Sequence, residues 1–285
     1  MSKNLLLLVS LLLFASSCSE YIPQNELFNN HLTTQLGYEF HNKKGVYKII
    51  EKNTTDEVSL ARELINYLPV KIDPQTEYTH AYNEEGDIIQ TYINNNQDYS
   101  IRFEYNRTKQ LLSIAGYHPG YVKEIFEYRP DNFLKFIFRE TDQNVMFKYS
   151  EDLKTISGFQ FKPIKDGNKR ALKPEKLLYQ MLLKNYEDGS FVVEVNDADK
   201  GILTQKYTYL GYNLIKKELL NEANISYNFN DKNDISEIEV KRNNGDVIKY
   251  LIEYQYDDNK NWISRIVNKD NTQILNTERN ISYYN

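Results

Sequence analysis

Few side chains in this sequence are spaced for catalysis or metal binding. The four histidines, His31, His41, His80 and His118, show neither a His-x₃-His nor a His-Glu-x-x-His spacing, with which a helix presents two zinc ligands. There is no Gly-x-Ser-x-Gly nucleophile elbow, no Gly-x-Gly-x-x-Gly and no P-loop. We therefore expect no cofactor, no metal site, no catalytic residue and no enzyme activity.

Acidic residues leave two weaker alternatives. Residues 196–201 read Asn-Asp-Ala-Asp-Lys-Gly, but an EF-hand loop that begins at Asp197 would place Gly201 one position too early. We interpret this segment as an acidic hairpin turn. Two carboxylates about 5–9 Å apart could also act as a glycosidase pair, and 40 Asp and Glu are present, without any spacing that selects two of them. A hydrolase remains an open alternative.

Aromatic side chains could bind a sugar by stacking on it. Trp262 is the only tryptophan, and Tyr254 and Tyr256 precede it at alternate positions. In a strand these alternate positions share one face. These three residues are the candidates for a ligand-facing surface, and the alternative interpretation is that they belong to the core of a repeat.

The composition narrows the class of protein. The chain has 285 residues, enough for one large domain or two modest ones, and its 35 Lys and Arg against 40 Asp and Glu give a formal net charge of -5. This balance argues against nucleic acid as a partner, because phosphate binding favours a basic domain. The 24 Tyr, 13 Phe and 32 Asn favour β-strands joined by polar turns.

The N-terminus has the three parts of a secretory signal peptide. Lys3 lies in a short polar start, residues 5–14 read LLLLVSLLLF, and Ala15, Ser16 and Ser17 follow. Ten apolar residues are too few to span a bilayer, since a helix needs about 20. Residues 1–17 are predicted to be a signal peptide that is removed.

Cys18, the only cysteine, directly follows these small residues. This arrangement resembles a bacterial lipobox, although Ala15 stands where a typical lipobox has leucine. The resemblance implies that Cys18 is the lipid attachment site (diacylglycerol and palmitate) and that the membrane is a partner through this lipid. Residues 18–45 are then a lipidated N-terminus and tether. The absence of Asp after Cys18 implies the outer membrane of a Gram-negative envelope, with the leaflet left open. In the alternative, an ordinary signal peptide leaves Cys18 as a free thiol.

Two helices are predicted in the rest of the chain. Thr54 and Glu57 have the spacing of a capping box, and apolar residues at helical spacing follow until Pro69, which predicts a helix near 55–68. Pro174 and the apolar residues after it predict a second helix near 174–185.

A pair of aromatic residues separated by one position recurs from about residue 76. The pairs are Phe103/Tyr105, Phe126/Tyr128, Phe147/Tyr149, Tyr207/Tyr209, Tyr227/Phe229 and Tyr254/Tyr256, with His80/Tyr82 as a weaker first copy. A polar stretch follows each pair. Counted from the first aromatic residue, positions +8 and +11 are apolar in three copies, and the last copy has Trp262 at +8 and Ile266 at +12. Each copy is predicted to be a β-hairpin whose returning strand faces the rings.

The last copy reads Tyr-Gln-Tyr-Asp-Asp-Asn-Lys-Asn-Trp-Ile-Ser-Arg-Ile over residues 254–266. It resembles the YD (Rhs-type) repeat, in which Tyr-x-Tyr-Asp precedes a glycine; Lys260 stands in the place of that glycine. The resemblance implies scaffold or binding work. We therefore expect residues 46–285 to form a mainly β domain, an antiparallel hairpin-repeat meander that is an open twisted sheet or half-barrel. Its expected role is a non-enzymatic envelope scaffold or binding module, the alternative being a surface carbohydrate- or peptide-binding lipoprotein.

Overall fold

A computed structural model describes residues 26–29, 31, 45–69, 73–94, 96–107, 110–116, 123–139, 144–166, 169–186 and 188–284. This part of the chain contains 18 strands and the helix α1 (Val58–Ile65), and residues 26–29 and 31 are also helical. The strands are β1 (Val46–Thr54), β2 (Glu77–Tyr82), β3 (Ile88–Ile93), β4 (Asn96–Tyr105), β5 (Leu111–Gly116), β6 (Glu124–Tyr128), β7 (Leu134–Arg139), β8 (Val145–Tyr149), β9 (Thr155–Asp166), β10 (Lys169–Asn185), β11 (Ser190–Asp197), β12 (Leu203–Leu210), β13 (Asn213–Leu219), β14 (Ala223–Phe229), β15 (Ile235–Arg242), β16 (Val247–Tyr256), β17 (Trp262–Lys269) and β18 (Thr272–Tyr283). None of the described helical segments has the length and apolar character needed to cross a bilayer.

The strands form one closed antiparallel barrel. Each strand from β2 to β18 pairs with its neighbours in sequence, and β1 pairs with both β2 and β18. The hairpin meander is therefore confirmed, but the expected open sheet or half-barrel is wrong. The strand that closes the ring, β1, carries no aromatic pair and lies outside the repeats, so the repeat pattern gave no sign of it. Closure leaves no unpaired edge.

The hairpins follow the predicted register. In the copy that begins at Phe103, this residue pairs with Ile114 at +11, and Tyr105 pairs with Leu111 at +8, with a bulge between Glu104 and Tyr105. The copies that begin at Phe126 and Tyr227 have the same pairings and the same bulge. The prediction that apolar residues at +8 and +11 face the rings is confirmed for these three copies.

Polar residues shape the turn after three of the pairs. Asn106 accepts a hydrogen bond through Oδ1 from the backbone N–H four residues later, and Asn230 and Asp257 do the same. Lys260 has a φ of 65°, in the left-handed region that glycine adopts most readily. The glycine of the YD pattern is explained by this conformation, which the chain also reaches with Asn132 and Asn233 at the corresponding place in other turns.

Tyrosine hydroxyls join successive hairpins. Tyr128 donates a hydrogen bond to the backbone oxygen of Leu111, and Tyr254 donates one to the backbone oxygen of Ile235, both at 3.0 Å. In each case the acceptor residue belongs to the preceding hairpin, where it is the first residue of the returning strand. This recurring bond accounts for part of the tyrosine content.

The inner face of the barrel is mainly apolar, and the outer face carries ion pairs between neighbouring strands. Buried hydrophobic residues from all 18 strands form a single cluster, which in a closed ring fills the interior. Ion pairs join neighbouring strands on the opposite face: Lys184–Glu194, Lys206–Glu218 and Lys249–Glu239. Along each strand, residues that face the core therefore alternate with residues that face outward.

The N-terminal segment, residues 26–29 with His31, lies inside one end of the barrel. This end carries the turns that follow the aromatic pairs, and we call it the repeat-turn end. Phe28 is fully buried and packs edge-to-face on Phe147 and Tyr149, and Asn29 donates a hydrogen bond to the backbone oxygen of Asn132. The predicted tether over 18–45 differs from the structure here, because apolar side chains of this segment complete the core. Its other residues, like the predicted signal peptide, lie outside the described residues.

Helix α1 lies at the opposite end. Glu63 forms ion pairs with Arg242 and with Lys269, and Tyr227 donates a hydrogen bond to the backbone oxygen of Tyr67, just after the helix. The predicted helix over 55–68 is present but shorter. The capping box does not form, because Thr54 is the last residue of β1 and pairs with Asn276.

The predicted helix over 174–185 is wrong, because these residues belong to β10. Met181 and Leu183 are buried on alternate positions, and β10 pairs with β9 and β11. Pro174 lies at a register shift, where a strand tolerates its missing N–H. Pairing on both sides outweighs a local helical pattern, since propensity is a weak prior.

Gly158 leaves space for an aromatic ring. A Cβ atom at this position would lie 2.6 Å from Cζ of Tyr179 on the neighbouring strand. We expect Gly158→Ala to lower the free energy of unfolding by about 1–3 kcal/mol, because the half-buried ring must move. Urea denaturation measures this effect, with Ser157→Ala as the matched control on the outer face, expected within about 0.5 kcal/mol of wild type. Equal stability of the two variants would contradict the packing described.

Candidate functional site in the closing seam of the barrel

Pairing at the point of closure brings polar residues together on the inner face. Arg265 pairs with Thr277, and Thr277 pairs with Asn53, so that β17, β18 and β1 contribute one row. One step along the strands, Arg279 pairs with Glu51. With Trp262, these residues form what we call the seam cluster: Glu51, Asn53, Trp262, Arg265, Thr277 and Arg279.

Glu51 and Arg279 form a buried ion pair. Nε and Nη2 of Arg279 both lie 2.8 Å from Oε2 of Glu51. Their side chains are only 7% and 5% exposed, respectively. Such a pair depends on both partners, because removal of one leaves an uncompensated charge in a poorly solvated place.

Arg265 belongs to a chain of hydrogen bonds. Its Nη2 donates to Oγ1 of Thr277 at 3.2 Å, and Thr277 donates to Oδ1 of Asn53 at 2.8 Å. Arg265 is 6% exposed, and its Nε is buried without a hydrogen-bond partner. Among the described residues, no carboxylate forms an ion pair with Arg265.

The three aromatic residues singled out in the sequence lie beside these arginines. Trp262 is buried, and its ring centroid is 3.2 Å from the guanidinium carbon of Arg279 and 4.9 Å from that of Arg265. Tyr254 packs edge-on against Trp262, and Tyr256 donates a hydrogen bond to Oδ2 of Asp234. Burial raises the pKa of Tyr256 to about 12, so its hydroxyl stays a donor at neutral pH. These contacts are with protein groups, and Trp262 is enclosed.

The other residues considered in the sequence do not join the seam cluster. His31 is buried in the N-terminal segment, with Nδ1 2.8 Å from the hydroxyl of Tyr209, and His80 contacts Oγ1 of Thr91. Oδ1 of Asp197 accepts hydrogen bonds from the backbone N–H groups of Asp199 and Lys200, which confirms the acidic hairpin turn. Cys18, His41 and His118 lie outside the described residues.

Sequence reasoning missed the arginines, although the repeat spacing contained a signal for one of them. Arg265 is at +11 from Tyr254 and pairs with it, whereas Ile266, the residue chosen at +12, is not part of the inner row. Strict use of +11 would have placed an arginine where three other copies have isoleucine: Ile114, Ile137 and Ile238. Arg279, Glu51 and Asn53 lie outside the repeats, so nothing local marked them.

The seam cluster is suited to holding negative charge. It has two guanidinium groups and one carboxylate, together with a hydroxyl, an amide and an indole ring. The cluster contains no thiol or histidine, and its one carboxylate is bound to Arg279. Recognition of an anion is the chemistry that this arrangement supports best.

Comparisons with known proteins give only distant similarity. No protein-family model matches the chain, and no curated protein matches it. A crystal structure of TcdB2-TccC3 is similar over 75% of this chain and 13% of that chain, at 14% identity and a TM-score of 0.32. A porin-like protein from Bacteroides uniformis is similar over 85% of this chain and 98% of that chain, at 9% identity and a TM-score of 0.32. A Photorhabdus luminescens Tc holotoxin pore structure is similar over 70% of this chain and 14% of that chain, at 12% identity and a TM-score of 0.20.

These values are too low to carry an argument about function. The chain spans about an eighth of the TcdB2-TccC3 chains that it resembles. The hairpin-repeat description therefore rests on the strand register of this chain.

Proposed function

We propose that this protein is a lipid-anchored, non-enzymatic scaffold or binding module of the bacterial cell envelope. The observation that carries the proposal is the distribution of charge over the barrel. Lysine–glutamate pairs join neighbouring strands on its outer face, and a mainly apolar core fills its interior. Such a barrel stands in water.

A transmembrane barrel has the opposite alternation, with an apolar band towards lipid and a polar interior. Each Arg or Lys on the lipid face costs about 2–4 kcal/mol at the bilayer midplane. Cross-strand pairs such as Lys206–Glu218 and Lys249–Glu239 would place several charges in that band. Attachment to a membrane must then come from outside the barrel, and the lipobox-like Cys18 supplies it in this proposal.

The proposal also sets an orientation. Cys18 precedes Glu26 by eight residues, which span at most about 29 Å when fully extended. Glu26 accepts a hydrogen bond from the hydroxyl of Tyr212, in a turn at the repeat-turn end of the barrel. A lipid on Cys18 therefore holds the repeat-turn end near the bilayer and directs α1 away from it.

Replacing Cys18 with serine tests the anchor. In a Gram-negative host, we expect the wild-type chain to carry a diacylglycerol adduct in its intact mass and to fractionate with the outer membrane, because only the thiol accepts the lipid. Cys18→Ser is expected to lose both properties, and Ser19→Ala, the matched control, to keep them. A soluble wild type without lipid would contradict the anchor and leave a secreted or periplasmic barrel.

A further inference from the structure

The seam cluster contains more positive than negative charge, and the excess lies on one residue. Glu51 is bound to Arg279, whereas Arg265 has no ion pair with any described residue. We propose that Arg265, with Thr277 and Trp262, is the binding site for a small carboxylate ligand inside the barrel. This inference goes beyond the proposed function and does not depend on the lipid anchor.

Arg265 is buried without a carboxylate partner among the described residues, which is informative. An arginine with 6% exposure has little contact with water, and buried charges in proteins are normally paired. Its Nε makes no hydrogen bond, while the hydroxyl of Thr277 occupies Nη2 at the long distance of 3.2 Å. A bound anion would satisfy both the charge and the unpaired N–H.

The guanidinium edge that carries the unpaired Nε indicates the class of anion, because its Nη2 has a second N–H besides the one donated to Thr277. Nε and Nη2 of arginine form a planar fork that matches the two oxygens of a carboxylate. The guanidinium carbon of Arg265 lies over the Trp262 ring, 4.9 Å from its centroid, and Tyr254 packs against that ring. The indole therefore contacts the face of the guanidinium, so that its edge, which lies in the guanidinium plane, is the part suited to the two oxygens of a small organic acid. A halide ion is a single acceptor atom and would not match the two parallel N–H groups of this fork.

The repeat pattern indicates that the fold does not require Arg265. Its +11 position holds isoleucine in three other hairpins, Ile114, Ile137 and Ile238, where it packs in the apolar core. Arginine at an equivalent place is therefore an addition to the hairpin. Binding explains this addition better than packing does.

The single tryptophan provides a direct measurement. Trp262 is the only one in the chain, so a change of intrinsic emission at 295 nm excitation reports on this site. We would titrate the purified full chain at pH 7 with sodium acetate, sodium phosphate or sodium chloride at constant ionic strength. The expected result is a saturable emission change and a rise in Tm with acetate, both absent with chloride.

Variants of Arg265 test the assignment. We expect Arg265→Gln to abolish the acetate response, and Arg265→Lys to weaken acetate binding at least tenfold, because lysine keeps the charge but lacks the fork. Arg62→Gln, an exposed arginine on α1, is the matched control and should bind like wild type. If Arg265→Gln fails to fold, the wild-type titration and Arg265→Lys still decide.

Three results would overturn the proposal. The first is that the wild-type protein shows no saturable response to acetate. The second is that chloride or phosphate reproduces the acetate response. The third is that the Arg265→Lys protein binds acetate as tightly as wild type does.

Discussion

Replacing Glu51 with glutamine is expected to destabilise the barrel by about 3–5 kcal/mol, because it leaves the buried Arg279 without its carboxylate. Glutamine keeps the size and an acceptor oxygen, so the loss reports the missing charge. Arg279 also contacts Trp262, and a shift of its guanidinium should change tryptophan emission in the folded state. Urea denaturation followed by circular dichroism measures the free energy of unfolding.

Two comparisons separate charge burial from simple loss of a contact. Glu127→Gln removes a carboxylate from the half-exposed pair with Lys135, where we expect no more than about 1 kcal/mol. The double variant Glu51→Leu/Arg279→Met removes both buried charges and should recover most of the stability, since apolar replacements of buried pairs are often neutral. Equal effects of Glu51→Gln and Glu127→Gln would contradict the burial of this pair.

The second large effect is expected from acid at His31. Desolvation by burial lowers the pKa of His31 to about 3, from 6.5 in the unfolded chain. The folded state therefore binds this proton only below about pH 3, whereas the unfolded state binds it below about pH 6.5. The stabilisation is complete above pH 6.5 and is lost as the pH falls towards 3. At pH 5 the loss is about 2 kcal/mol, from about 1.4 kcal/mol per pH unit.

The surroundings of His31 support this direction. The ring packs edge-on against Tyr207 and Tyr209, neither of which offers a negative charge, and Lys217 lies 5.8 Å from the ring centroid of Tyr207. An imidazolium at this place would be shielded from water and would have no ion-pair partner among the carboxylates of the described residues. Protonation should release the N-terminal segment from the repeat-turn end before it unfolds the barrel.

Hydrogen exchange of residues 26–31 at pH 7.5 and pH 5.0 measures this release. After correction for the intrinsic pH dependence of amide exchange, we expect lower protection factors at pH 5.0 than at pH 7.5 in wild type. We expect a much smaller change in His31→Gln, which cannot gain the proton. The difference between the two proteins cancels the titration of other groups. A His31→Gln protein with the wild-type pH dependence would assign the effect to another residue.

Local pattern was sufficient for the hairpins. The pairing of Phe103 with Ile114 and of Tyr105 with Leu111 could be predicted, because strand alternation and turn residues act within about 12 positions. The same reasoning failed over residues 174–185, where the apolar spacing fits a helix but β9 and β11 offer backbone partners on both sides. A local pattern contains no information about pairing partners that lie in other hairpins.

The seam cluster shows that local pattern was also insufficient to predict the site. Arg265 obeys the repeat spacing and was within reach of sequence reasoning. Glu51 and Arg279 are 228 positions apart, and only the pairing of β1 with β18 brings them together. No spacing rule connects two residues at such a distance.

The sequence by itself determined the class of fold, the hairpin unit, its register and its turns, since each depends on side chains close together in the chain. It also supports the predicted signal peptide and the lipid site at Cys18, which stay predictions. Only the tertiary structure decided that the sheet closes, that residues 26–29 and His31 fill one end, and that two arginines meet a tryptophan at the seam. The physical reason is that closure is stabilised by backbone hydrogen bonds between distant strands, which any sequence of suitable alternation can make.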